Sequence, residues 1–250
     1  MVSKFKNALL IGASSGIGAA LARCLAEDGT RVALVARRPE ELENVRRGIA
    51  TAWGQESAKV YVADVIDYEA APGLFAKIDE EMDGLDLVVY CAGVMTEGPE
   101  DEYDFAKDKL VVEVNLLGGI AWLNPAADRF EGKRAGAIVG IGSVAGDRGR
   151  RAYPNYHAAK AGFATYLESL RNRLSRHGVQ VTTIKPGPIA TPMTEGMGKQ
   201  PLMRSAEEAA QKIHKAITKG KMTAYVPGVW CPIMFVIRSI PSILFRRMGI

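Results

Sequence analysis

Ala8-Leu9-Leu10-Ile11-Gly12-Ala13-Ser14-Ser15-Gly16-Ile17-Gly18 joins an apolar run of strand length to a glycine-rich turn and a helix running towards Asp28. Gly12, Gly16 and Gly18 lie between strand and helix, where a missing side chain permits a tight turn, close approach of a pyrophosphate, and close packing of helix on sheet. The free N–H groups that open the helix then face the phosphates, with Ser14, Ser15 and Ile17 completing the turn. The spacing is Gly-x-x-x-Gly-x-Gly rather than the common Gly-x-Gly-x-x-Gly, but it follows the first strand of a βαβ pattern, the context a nucleotide turn requires.

Outward from this turn the chain alternates strand and helix. Arg31 to Ala36 reads as a second strand, Pro39 opens a helix with Glu40 and Glu41 in its first turn, and Val60 to Ala63 reads as a third strand. Leu85 to Tyr90 is a fourth, followed by a long helical stretch from about Tyr103 to Phe130 and a buried strand over Ala137 to Gly142. A helix from Pro154 to His177 stops at Gly178, a strand follows from Val179 to Ile184, Ser205 to Glu208 forms a capping box, and Thr223 to Val226 reads as a seventh strand. Strands separated by helix-length segments predict an α/β fold: a doubly wound, Rossmann-type, seven-stranded parallel sheet with helices on both faces. With 250 residues and no linker or repeat, one domain over residues 1–250 is expected, its tail from about 227 onward apolar and basic.

A second stretch carries candidate chemistry. Tyr156 and Lys160 stand four apart on the helix that Pro154 opens, so they share a face, and Ser143 ends the strand before it, where open α/β sheets place ligands. A phenol with a pKa of about 10 needs roughly 4 kcal/mol of help to act as a base near pH 7. An ammonium about 5 Å away, at an effective dielectric of about 20, supplies roughly 3 kcal/mol of it, and a cationic oxidised cofactor ring would add more. A solvated surface pair is the plain alternative.

At the end of the second strand an enzyme for the unphosphorylated dinucleotide has an acid for the ribose hydroxyls, whereas this chain has Ala36 followed by Arg37 and Arg38. A guanidinium grips a 2′-phosphate bidentately, so NADP(H) is the expected cofactor, ion pairing with Glu40 and Glu41 being the alternative use of these arginines.

Composition sets the remaining bounds. A formal charge of +4, from 32 basic and 28 acidic residues, is too small and dispersed to argue for nucleic acid. Cys24, Cys91 and Cys231 show neither disulfide nor metal-ligand spacing and read as free buried thiols of a reducing compartment; no metal site is expected. The opening Met1 to Lys6 reads as neither signal peptide nor span, so a cytoplasmic location is expected.

Taken together, Gly12-Ala-Ser-Ser-Gly-Ile-Gly, Asp64 after the third strand, Asn115 in the long helix, Ser143, Tyr156-x-x-x-Lys160 and Lys185-Pro186-Gly187 resemble the short-chain dehydrogenase/reductase family over about residues 5–226. The resemblance implies NAD(P) as hydride carrier, interconversion of an alcohol and a carbonyl, and a catalytic tetrad of Asn115, Ser143, Tyr156 and Lys160. In that scheme Tyr156 is the general acid/base and Ser143 steadies the substrate oxygen. Lys160 lowers the phenol pKa and holds the nicotinamide ribose, and Asn115 supports a water-linked proton relay. Asp64 and Val65 would meet the adenine, Ala92 and Gly93 would border the cofactor, and after Pro186 and Gly187 the Ile189 backbone and Thr191 side chain would meet the carboxamide. Homodimers or homotetramers packed through the long helices are implied as well. Two positions depart from the pattern: Ile11 in place of threonine, and Cys91 where Asn-Ala-Gly is usual. A regulator that binds NADP on the same fold without catalysis is the alternative reading.

Arg148, Arg150 and Arg151, with Met193, Met197 and Met203, are expected to border a substrate pocket for a partly apolar small molecule. The tail from Val229 onward is interrupted by Pro232, Arg238 and Pro241 and is no span. It is expected to pack over the pocket or a neighbouring subunit, with peripheral contact to an anionic membrane surface as the alternative.

Overall fold

Burial alternates along the central strands: Leu10, Val32 and Leu34 face one apolar layer while Leu9, Ile11, Ala33 and Val35 face the other. That is the pattern of a sheet covered on both faces. The computed structural model describes residues 4–96, 103–195, 198 and 200–248. Seven strands form the sheet: β1 (Asn7–Ile11), β2 (Arg31–Ala36), β3 (Ala58–Val62), β4 (Leu87–Tyr90), β5 (Ala137–Ile141), β6 (Gln180–Pro186) and β7 (Thr223–Val226). Their order is β3-β2-β1-β4-β5-β6-β7, all pairs parallel. The order reverses between β1 and β4, and the loops leaving those strands border the crevice where doubly wound sheets bind ligands.

One face carries α1 (Gly16–Glu27) and α2 (Pro39–Trp53), with α7 (Ala206–Thr218) packed beside α1. The contact between α1 and α7 is built from small residues, Ala19, Ala22 and Ala26 on one side with Ala209 and Ala210 on the other, in the same buried cluster. The Ser205 capping box is present as expected, with the Ser205 hydroxyl accepting the Glu208 N–H at 3.1 Å. The other face carries α3 (Ala70–Glu81), α5 (Gly118–Lys133) and α6 (Pro154–Leu174). Sequence periodicity does not reveal α3, because Pro72 and Gly73 interrupt it. Both lie in the first turn, where a missing N–H loses no intrahelical bond.

The long helical stretch begins later than expected and is not uniform. Asp104 caps it, its carboxylate accepting the N–H groups of Ala106 and Lys107. It then runs as α4 (Phe105–Val112), a π turn (Glu113–Leu117) and α5, with the Gly118 N–H reaching Glu113 O. By length and composition Phe105–Lys133 is apolar enough to cross a membrane, yet half of its most apolar window is buried within the molecule, including Trp122, Leu123 and Phe130.

After β7 the chain forms α8 (Trp230–Ser239), which buries Trp230 and Met234 against Val144, and a single turn, α9 (Ser242–Phe245). The opposite side of this tail leaves Phe235, Val236, Ile243 and Leu244 exposed. The cysteines are free but not fully buried as expected: Cys24 and Cys91 are half-buried, and Cys231, on α8, is exposed because it faces away from the Trp230 contact.

Candidate active site

The glycine turn is shaped by its neighbours. Gly12 adopts φ +91°, and a Cβ there would collide with the backbone of Ala92 in the loop after β4. A Cβ on Gly18 would collide with Gly12 O, so the helix start sits directly on the turn. Gly16, at φ +54°, lies under the Thr191 methyl. Missing side chains therefore let the turn close tightly on its neighbours and form a cradle of backbone at the switch between β1 and β4.

That cradle is one end of a cavity of about 560 Å³. Lining it are Gly12, Ser14, Ser15, Gly16, Ile17 and Gly18 of the turn, Arg37, Arg38, Asp64 and Val65 beyond β2 and β3, and Ala92 and Gly93 beyond β4. Ser143, Tyr156, Lys160, Pro186, Gly187, Ile189 and Thr191 complete the set of sequence candidates on its wall. Asn115 is the exception. It lies fully buried behind Gly93, where an added Cβ would be 2.8 Å from Asn115 Oδ1 and 3.4 Å from Lys160 Nζ.

The two arginines after β2 take different partners. Arg38 Nη2 donates to Ser14 Oγ and Ser15 Oγ, both at 2.8 Å, and Arg38 also lies 3.7 Å from Glu41. Arg37 instead reaches Asp64 Oδ2 at 3.8 Å and is more than half exposed. Basic charge thus lies over the glycine turn as well as beside β3, and the acid the sequence reading reserved for adenine contact is paired with Arg37.

At the other end, Ser143 leaves β5 in an extended conformation and its oxygen accepts the Ala145 N–H at 3.0 Å. Its own proton remains to be donated, and the hydroxyl stands near enough to the Tyr156 phenol to lower its pKa. Tyr156 and Lys160 share one face of α6 as expected from their spacing, with Lys160 Nζ 5.7 Å from the Tyr156 ring centre and donating to Ile141 O at 3.2 Å. Burial dominates the electrostatics of both groups. It pushes the Tyr156 phenol up, with the Ser143 hydroxyl pulling the other way, and pushes the Lys160 ammonium down to about 8. The lowering of the phenol expected from Lys160 is not among the effects acting on it in the protein alone, where burial and the Ser143 hydroxyl decide the shift.

Asn115 sits in the π turn. Its Nδ2 donates to Val94 O at 2.7 Å and Val111 O at 2.9 Å, and its Oδ1 accepts the Val94 N–H at 3.3 Å. The two bonds to Val94 tie the loop after β4 to the helix, and the third runs back one turn within the helix, so the side chain braces the wall in front of Lys160. Thr191 is likewise held in place: its N–H donates to Thr194 Oγ1 at 3.1 Å, its carbonyl accepts the Thr194 N–H at 2.9 Å, and its methyl covers Gly16. Of the two departures, Ile11 is buried in β1, and Cys91 lines the cavity beside Lys160 while its N–H donates to Ile11 O at 2.8 Å. Burial raises the Cys91 thiol to about 12, so it is neutral and serves as apolar filling.

The three loop arginines also separate. Arg148 Nη1 donates to the carbonyls of Ile237, Arg238 and Ile240 at the end of α8, and its guanidinium lies 4.0 Å from the Phe245 ring centre. Arg151 is exposed, and only Arg150 lines the cavity. Met193 lines it and Met203 does not; Met197 lies outside the described residues. Tyr153 escaped the sequence reading. It lines the cavity in a left-handed conformation, φ +57°, which a non-glycine residue before proline gives no sequence sign of.

Fold and cavity together define a dinucleotide-type α/β oxidoreductase architecture, and comparison with known proteins agrees. The model of the family described as short chain dehydrogenase matches residues 6–202. An uncharacterised oxidoreductase of Mycobacterium tuberculosis is 31% identical over 243 residues, covering 96% of each chain. Another from Myxococcus xanthus is 31% identical over 242 residues, covering 96% of this chain and 95% of the other. Among solved structures, a short-chain type dehydrogenase/reductase from Mycobacterium ulcerans superposes with a TM-score of 0.80 at 22% identity, covering 88% of this chain and 87% of that one. Levodione reductase does so with a TM-score of 0.80 at 24% identity, covering 88% and 94%; both likenesses speak to the fold. The chain belongs to the short-chain dehydrogenase/reductase family. It is an oxidoreductase of that family, whose members use NAD or NADP and act on small molecules.

Proposed function

We propose that this protein is an NADP(H)-dependent carbonyl reductase, running equally as an alcohol dehydrogenase, with Tyr156 as its general acid/base. The observation that carries the reading is the meeting of Ser143, Tyr156 and Lys160 on the wall of the cavity that begins at the glycine turn. The residues fit the cofactor because the absence of Cβ atoms at Gly12, Gly16 and Gly18 lets the turn close tightly on the wall of the cavity, with backbone rather than side chains facing an incoming pyrophosphate. Gly12 to Gly18 with Ala92 and Gly93 would receive the pyrophosphate and its flanks, Asp64 and Val65 the adenine, and Pro186, Gly187, Ile189 and Thr191 the nicotinamide end. Arg38 and Arg37 favour the phosphorylated ribose, since Ala36 stands at the end of β2 where an acid would be needed to hold a bare diol.

When bound, NADPH supplies the hydride to the carbonyl carbon and NADP⁺ accepts it in the reverse direction. The chain handles the proton: Tyr156 gives it to the substrate oxygen in reduction and takes it back in oxidation, while Ser143 donates a hydrogen bond to that oxygen. Lys160 keeps a positive charge within reach of the phenol, to which a cationic nicotinamide would add. Asn115 is a positioning residue that fixes the wall in front of Lys160.

Phe105 and Leu117, exposed on the α4–α5 run, offer apolar surface for the homodimer or homotetramer that family likeness suggests. For the tail we infer packing over the protein rather than membrane contact, supported by buried Trp230 and Met234 and by Arg148 at the end of α8. A cytoplasmic setting, where its thiols stay reduced, goes with this reading. The decisive experiment is a panel of aldehydes, ketones and alcohols followed by nicotinamide absorbance with both cofactors. Absence of turnover across the panel, alongside tight NADP binding, would favour a non-catalytic binder instead.

A further inference from the structure

Arg150 is the one cavity-lining cation at the Tyr156 end that the reading above leaves without a task. Among the described residues its Nε is buried with no hydrogen-bond partner, and its Nη2 meets only the weak acceptor Met234 Sδ at 3.9 Å. Among the described residues no carboxylate pairs with it, whereas Arg37, Arg38 and Lys185 each have one. Burial pushes its guanidinium down with no neighbouring acid to oppose the shift. A half-buried guanidinium with no counter-ion and only a weak sulfur acceptor is costly, and such a site is stabilised when a ligand brings the missing oxygens.

The surroundings narrow the ligand. His157 lies beside Arg150, but its ring nitrogen bonds Ala145 O at 2.6 Å and burial pushes its pKa down, so it adds no charge. One guanidinium balances one negative charge, which suits a carboxylate accepting its planar N–H groups better than a dianionic phosphate. Val144 and Met193 on the same wall are apolar. Resting on the carbonyl-reductase reading, we infer that the substrate is an oxo or hydroxy acid with an apolar body, whose carboxylate, apart from the reacting carbon, is bound by Arg150.

The test separates this inference from the reading beneath it. Calorimetric titration of the wild-type protein with octanoate and with octanamide, with and without saturating NADP⁺, should give at least about tenfold tighter binding of the acid, as one charge-assisted contact provides. Arg150→Met should bring the two affinities together, and Arg150→Lys should keep part of the difference. In turnover, levulinate and its longer-chain homologues should outperform their methyl esters, with the acid-to-ester ratio falling towards one in Arg150→Met. Equal affinity of the wild type for acid and amide overturns the inference without any variant. So does a loss in Arg150→Met that strikes acid and amide alike or appears only in NADP⁺ affinity. Tyr156→Phe should retain the octanoate preference, so a protein that reduces no carbonyl yet prefers octanoate contradicts the catalytic reading and leaves the carboxylate site standing.

Discussion

Arg38 Nη2 donates to Ser14 Oγ at 2.8 Å, which brings a guanidinium from the end of β2 onto the turn that follows β1. Both residues lie on the cavity wall, so an anion seated there meets a positive charge that is already positioned.

Cofactor choice follows from that placement. NADP(H) should bind at least about tenfold more tightly than NAD(H), since one charge-assisted contact contributes roughly 1.5–3 kcal/mol. Arg38→Ala should erase most of the preference. Arg37→Ala should erase less, because Arg37 is exposed and shared with Asp64. Fluorescence titration of both dinucleotides checks this, and equal affinities in the wild type would refute the assignment.

Tyr156→Phe should fold normally and bind NADP⁺ nearly as well as the wild type, while turnover drops by roughly a hundredfold or more. Near-normal activity of this variant on a substrate found in the panel would refute the proton-transfer role.

Lys160 carries a stability cost with a defined pH window. Burial lowers its pKa from 10.5 to about 8, so the folded state binds fewer protons than the unfolded state between those values. The penalty is full below about 8, where both states hold the charge, and vanishes above 10.5, where neither does. Lys160→Met should therefore be more stable than the wild type near pH 7, by up to about 3 kcal/mol, with the gap closing as pH rises through that window. Urea unfolding of both proteins across the range measures it. A difference that stays constant with pH would show that the ammonium is not penalised by burial.

Removal of the tail after Gly228 should destabilise the protein by about 3 kcal/mol or more, because Val144 loses the cover of Trp230 and Met234. Arg148→Met should give a smaller loss of the same kind by freeing the carbonyls at the end of α8. Thermal unfolding reports both. Sedimentation with anionic vesicles supplies the contrary outcome: full-length protein that pellets while the truncated form does not would support the membrane alternative.

The sheet was readable from the sequence because its signals are local. β7 coincides with the predicted Thr223 to Val226, and Ser143, Tyr156 and Lys160 were found from a strand end and a helical spacing. What escaped depended on distant partners. Nothing local distinguishes Arg148, Arg150 and Arg151, and their fates as helix-end donor, cavity-lining cation and solvated residue are set by α8, some ninety residues further along. The π turn at Asn115 was hidden for a similar reason, since it is stabilised by bonds to Val94 across the loop after β4. The helix α3 was masked by a proline and a glycine that are breakers in a helix interior but not in a first turn.

Gly187 lacks a side chain where one would collide with the Trp230 indole, so this tryptophan is wedged between β6 and the start of α8. Its Nε1 is buried without a partner, while Trp53 is exposed and Trp122 lies deep under the sheet. Of the three indoles, Trp230 alone belongs to α8, so it alone would change surroundings if α8 left Val144. A single-tryptophan protein retaining Trp230 therefore carries its own optical gauge of tail docking: the colour of its emission reports, with no label attached, whether α8 covers Val144.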